Sequence, residues 1–156
     1  MFGTPVACFA SGRRNVYRQD LHQLDVLHRK LLRQVCGPPG SIDWSSPWHE
    51  ILHEWNGKVA RMTAANAMRP WSDTCLLQYW KLGSYVARLP AERWAKRVLE
   101  WEPDGRRSQG RPREVWDSKL AVFCTTNNLG RWEAAARDST AWLAMADDFI
   151  MSIAAS

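Results

Sequence analysis

Apolar residues in the first half of the chain return every three or four positions, the spacing that places them on one side of an α-helix. Leu21, Leu24, Leu27, Leu31 and Val35 make one such stripe, ended by Gly37, Pro38 and Pro39. Arg29, Lys30 and Arg33 extend its polar side. Ser46 and Pro47 can open a second helix, with Trp48, Ile51, Leu52, Trp55, Val59 and Met62 as its apolar positions. A third is expected over roughly Asp73 to Leu89, with Leu76, Leu77, Trp80 and Val86 turned inward. Gly83 weakens it by about 1 kcal/mol relative to alanine but would let another backbone come close.

Pro90 suits the first turn of a fourth helix carrying Trp94, Val98 and Trp101. The stretch from Pro103 to Pro112 has turn-forming and polar residues alone, so an exposed loop is expected. A fifth helix would start at Pro112, carry Trp116, Leu120 and Phe123, and end before Asn127 and Asn128. From about Arg131 to Ile153, Trp132, Ala135, Ala136, Trp142, Ala146 and Phe149 share one broad face, which reads as a single last helix. Strand signals are nearly absent. The expected fold is all-α, an irregular bundle of five or six short helices with an exposed Arg-rich loop. Its parts are a flexible N-terminal segment over 1–17, a helical region over 18–102, the basic Gly/Arg/Pro loop over 103–112, and a helical pair over 113–156. WNGKVARM from Trp55 and WKLGSYVARL from Trp80 echo one another, but two such copies do not make a solenoid.

Composition fits a folded domain: 156 residues, 46% hydrophobic and 24% charged. Ten tryptophans are many for this length, and they predict a tryptophan-rich core. Met1 to Gly12 lack a basic leader and are interrupted by Gly3 and Pro5, so no signal peptide is read. No apolar run approaches the roughly 18 residues of a membrane span. Cys8, Cys36, Cys75 and Cys124 form no CxxC pair, which suits reduced thiols and an intracellular setting, nuclear or cytoplasmic. The net charge of +5 favours an acidic partner, with nucleic acid the commonest.

Two stretches resemble a known family. LDVLHRKLLRQVCG, from Leu24 to Gly37, is similar to the helix that follows the polymerase core in LINE-type (non-LTR) retrotransposon reverse transcriptases. Tyr79 to Asp117, YWKLGSYVARLPAERWAKRVLEWEPDGRRSQGRPREVWD, resembles the C-terminal segment of the same proteins. There a tryptophan helix ending in Val-Ala-Arg-apolar-Pro leads to a Leu-x-Trp-x-Pro turn, a Gly-Arg-Pro loop and another tryptophan helix. The Gly-His usual before Val in the family is Ser84-Tyr85 here. The resemblance, whose pieces lie between Leu24 and Asp117, implies a nucleic-acid setting. The family's polymerase aspartates and its endonuclease have no counterpart in the sequence, so activity is not implied.

Several motifs carry candidate chemistry. His49-Glu50-Ile51-Leu52-His53 matches HExxH, in which two histidines one turn apart share a zinc. No histidine follows His53 to complete the set, so a chance match on a half-exposed helix is preferred. Cys36 with His49 and His53 lacks the second cysteine of a finger. Asp147-Asp148 resembles in letters the paired aspartates of a reverse-transcriptase hairpin, yet it sits in a helical pattern and reads as solvated acid. The best functional claim belongs to Arg106, Arg107, Arg111 and Arg113, a compact phosphate-binding group with no acid among them. Gly110-Arg111-Pro112 also resembles an AT-hook core, whose arginines enter a narrow minor groove.

Arg29, Lys30 and Arg33 could add backbone contacts. Helical spacing places Trp55, Trp80, Trp94, Trp116 and Trp142 in the core, and leaves Trp44 and Trp71 as candidates for stacking on bases. No nucleophile triad or phosphate-cradling glycine loop is visible, and no cofactor is expected. The residues favour a non-catalytic segment that binds RNA or DNA phosphates. The alternatives are an inert relic of a degenerate element and, more remotely, a zinc metallohydrolase built on HEILH.

Overall fold

The computed structural model describes residues 17–40, 42–100 and 115–155, and of residues 99, 100 and 155 the backbone alone. The architecture is all-α. Eight helices occur among the described residues: α1 (Arg18–Cys36), α2 (Trp48–Ala65), α3 (Trp71–Ala87), α4 (Trp94–Glu100), α5 (Ser118–Thr126), α6 (Trp132–Ala135), α7 (Ser139–Ala144) and α8 (Ala146–Ala155). They fall into two compact units that divide within α3, one spanning Tyr17–Thr74 and the other containing the described residues from Cys75 onward.

In the first unit, α1 packs on a stripe that keeps Leu21 of the expected one but then departs from it. Its buried residues are Leu21, His28 and Leu32. Leu27 and Leu31 are exposed, and Val35 is 64% exposed. Apolar residues cover a wide arc of this helix, and the packed line at 21, 25, 28 and 32 follows the 3.6-residue period more closely. His28 takes an inward place because its ring stacks on Trp71, with centroids 4.8 Å apart and planes 11° from parallel. Asp25, on the same line, accepts a 3.0 Å hydrogen bond from the backbone N–H of Ser72. That supplies a carboxylate to the N-terminal turn of α3, where amide groups lack helical partners.

The opposite end of α1 is closed by a cation. Lys58 of α2 donates to the carbonyls of Cys36, Gly37 and Pro38 at 2.8, 3.2 and 3.0 Å. Arg33 donates to Asn56 Oδ1 at 2.8 Å. On α2 the expected stripe holds at Ile51 and Val59, which are buried, while Trp48 stands exposed at the first turn. The helix ends in a nested pair of bonds, Met68 N–H to Thr63 O and Ala67 N–H to Ala64 O. That closure puts Ala67 at φ 46°, a left-handed position normally given to glycine.

The second unit is built on two indoles. Trp80 of α3 and Trp142 of α7 stack face to face, centroids 3.7 Å apart and planes 3° from parallel. Each ring N–H donates to the other residue's backbone carbonyl, at 2.7 and 2.9 Å. Both residues are fully buried, so the pair excludes water without leaving either indole N–H unpaired. Phe149 stacks on Trp80 at 4.6 Å, and Phe123 meets its edge at 5.2 Å. Tyr79 extends the cluster to Trp116 and Phe149, and its hydroxyl donates to the Trp116 carbonyl. Leu76, Trp80 and Val86 therefore lie inward as expected. At Gly83, side chains rather than a backbone come close: an added Cβ would lie 2.9 Å from Leu120 and 3.5 Å from Trp142.

Three expectations fail here. The last helix is not continuous but divides into α6, α7 and α8. Asp138 supplies the break before α7, its carboxylate accepting from the backbone N–H groups of Thr140 and Ala141. The fifth helix begins at Ser118, since 115–117 are coil and turn, and Pro112 lies outside the described residues. Trp94, expected in the core, is 74% exposed. With seven residues, α4 turns Lys96 inward and leaves Trp94 and Val98 in solvent.

Candidate nucleic-acid interface

Positive charge is unevenly placed along the chain. Between Lys81 and Arg113 stand nine basic and four acidic side chains, a surplus equal to the whole chain's net charge of +5. Arg106, Arg107, Arg111 and Arg113, the loop singled out from sequence, lie outside the described residues, as does the Gly110-Arg111-Pro112 segment. The described part of this stretch runs along α3 and α4. Trp80, Gly83, Ser84, Val86 and Ala87 are buried on α3, which leaves Lys81, Tyr85 and Arg88 exposed at successive turns. Ser84 is held inward by its hydroxyl, which donates to Ala136 O at 3.0 Å. Arg88 is steadied by a 3.1 Å bond from Nε to the Ser84 carbonyl.

A turn follows α3, with Arg93 N–H bonded to Pro90 O at 3.0 Å. It delivers Arg93, Trp94 and Arg97 to the surface, all exposed. The Arg97 guanidinium lies 5.5 Å from the centre of the Trp94 ring, within cation–π range. Lys96 points the other way and is buried, and its charge reaches Glu133. Burial works against the Glu133 carboxylate, but the hydrogen bond from Arg131 and the charges of Arg131 and Lys96 outweigh it and hold its pKa below the ordinary value.

In the first unit, Arg29 and Lys30 are exposed on α1, and Arg33 is half-buried against Asn56. Arg29 also borders a cavity of about 260 Å³ lined by Asp25, His28, Asn56, Thr63 and Met68. Burial pushes the His28 pKa down, partly countered by the Asp25 charge. Of the three α1 cations, Arg29 and Lys30 present their charge to solvent, whereas the Arg33 guanidinium ties α1 to α2.

The stacking candidates separate as well. Trp44 is exposed, but Trp71 is half-buried and already stacked on His28. Spacing alone missed Trp94 and Tyr85, the exposed rings beside arginines; the basic surplus around them was the available signal. His49 and His53 are exposed on α2, and no group of three or more candidate metal ligands occurs among the described residues. Cys36 faces the Met62 sulfur at 3.1 Å. Asp147 and Asp148 are exposed in the first turn of α8. Among the described residues no helix is long and apolar enough to cross a membrane. Compared with family models, curated proteins and solved structures, the chain matches none.

Proposed function

We propose that this chain is a non-catalytic, helical nucleic-acid-binding segment related to the C-terminal part of LINE-type reverse transcriptases, and that it grips RNA or DNA by its phosphates. The observation that carries the reading is the density of positive charge from Lys81 to Arg113, where nine basic side chains stand against four acidic ones. The family resemblance of residues 79–117 covers the same stretch. Lys81, Arg88, Arg93 and Arg97 offer guanidinium and ammonium groups to solvent from α3 and α4. Arg106, Arg107, Arg111 and Arg113 follow in sequence and supply four more. Arg29 and Lys30 are further phosphate contacts on α1, while Arg33 serves that helix mainly through Asn56.

The mechanism is electrostatic. Each phosphate neutralised by an arginine or lysine releases a condensed counterion, so affinity falls steeply as salt rises. Guanidinium groups suit this role because their planar fork matches the phosphate oxygens. The buried Trp80–Trp142 pair does not touch the ligand; it fixes the side of α3 that faces away from the cations. Within an element of this family, such a segment holds template RNA or target DNA near the polymerase.

The test is binding of the purified chain to labelled single-stranded RNA and duplex DNA, beside a variant with Arg106, Arg107, Arg111 and Arg113 changed to Gln. The variant is expected to lose most of its affinity for both. Unchanged affinity would remove the loop from the interface, and a folded chain that binds neither ligand at low salt would favour an inert relic.

A further inference from the structure

We infer that the exposed residues on the outer side of α3 and on α4 take single-stranded nucleic acid, with Tyr85 and Trp94 as stacking platforms for bases among phosphate-binding cations. This rests on the nucleic-acid reading above and names the form of strand it recognises. Trp80, Trp132 and Trp142 are buried almost completely, whereas Trp94 is 74% and Tyr85 56% exposed. Trp44 and Trp48 are exposed as well, at 64% and 62%, but Tyr85 and Trp94 are the exposed rings that stand among a surplus of exposed cations.

Charge complementarity says what covers it. Four exposed cations, Lys81, Arg88, Arg93 and Arg97, stand within the same seventeen positions as the two rings, against Glu92 as the one acid from Lys81 to Arg97. An apolar protein surface would leave those cations without partners. A duplex would satisfy them but keeps its base faces stacked on one another, with none for the rings. A single strand brings phosphates and free base faces together. Arg97 lies 5.5 Å from the Trp94 ring centre, so it can steady the indole while a base takes the opposite face. Lys81, Tyr85 and Arg88 stand about 10 Å from end to end along α3 at the helical rise, alternating cation, ring and cation.

The experiment uses the full chain and fluorescence anisotropy with short mixed-sequence single-stranded RNA, single-stranded DNA and duplex DNA. The Tyr85→Ala/Trp94→Ala variant is expected to bind single strands roughly tenfold more weakly or worse, and duplex within about twofold of the unaltered chain. Trp94→Phe with Tyr85→Phe should restore most of the loss, because phenyl rings still stack. Matching far-UV circular dichroism and urea midpoints would show that the alanine variant is folded. Equal losses on single strand and duplex, or no loss on single strands, would overturn the stacking inference and leave electrostatic binding standing. If the unaltered chain binds no nucleic acid at low salt, both fall.

Discussion

Changing Trp142 to Phe probes the reciprocal indole pair that organises the second unit. The substitution removes the 2.9 Å bond from the Trp142 ring to the Trp80 carbonyl, a loss of about 1 kcal/mol. It shortens the overlap of two rings stacked at 3.7 Å, which contributes about 0.5–1.5 kcal/mol beyond burial. It also opens a methyl-sized or larger void in a fully closed site, costing about 1 kcal/mol more. Together these give about 3 kcal/mol. Trp80→Phe should cost at least as much, because Phe149 and Phe123 also rest on that ring. Trp55→Phe is the informative control: its buried ring N–H has no hydrogen-bond partner among the described residues, so the substitution should cost only about 1 kcal/mol. Urea unfolding followed by far-UV circular dichroism reads all three. A Trp142→Phe chain within about 0.5 kcal/mol of the unaltered one, or no worse than Trp55→Phe, would refute the reasoning.

Ala67 sits at φ 46°, so Ala67→Gly should raise stability by about 1 kcal/mol in the same assay, despite glycine's greater freedom when unfolded. Gly83→Ala gains about 1 kcal/mol of helix propensity, but its Cβ would lie 2.9 Å from a fully buried Leu120. Overpacking costs about 1–3 kcal/mol, so net destabilisation is expected, and larger for Gly83→Val. His28 has its folded pKa lowered below 6.5 by burial, the Asp25 charge countering in part. The unfolded chain therefore takes up that proton first as pH falls, and the stability His28 contributes, present above 6.5, is lost below it. Urea midpoints at about pH 7.5 and about pH 5.5 should differ more for the unaltered chain than for His28→Phe, and equal differences would count against a buried neutral imidazole.

How much of this was legible in the sequence depended on helix length and on where polar residues fall. α2 and α3 run 18 and 17 residues, long enough for a stripe to define an inward face, and Ile51, Val59, Leu76 and Trp80 were read correctly. α1 is longer still, yet its packed line passes through Asp25 and His28, and a reading of apolar spacing skips both. The end of α5 was visible because Asn127 and Asn128 suit helix termini, and Asn128 does adopt φ 56°.

The last helix misled for a different reason. Trp132, Ala136, Trp142, Ala146 and Phe149 keep to one broad face across two breaks, and no glycine or proline marks them; only Asp138 did, as an N-cap. For the interface, spacing placed Trp94 in the core because a seven-residue helix gives too few turns to distinguish its two sides. The charge surplus was present in the sequence, but the exposure of Tyr85 depends on packing of the other side of α3 by residues as distant as Ala136 and Trp142, and that of Trp94 on α4 turning Lys96 inward.

The most direct measurement is the slope of log affinity against log salt for duplex DNA, compared between the unaltered chain and Lys81→Gln/Arg88→Gln/Arg93→Gln/Arg97→Gln. If these four side chains each neutralise a phosphate, the slope should become shallower by about 3 to 4, at roughly 0.9 per contact. A steep slope that the four substitutions leave unchanged would place binding elsewhere on the chain. A flat slope in the unaltered chain would contradict phosphate recognition altogether.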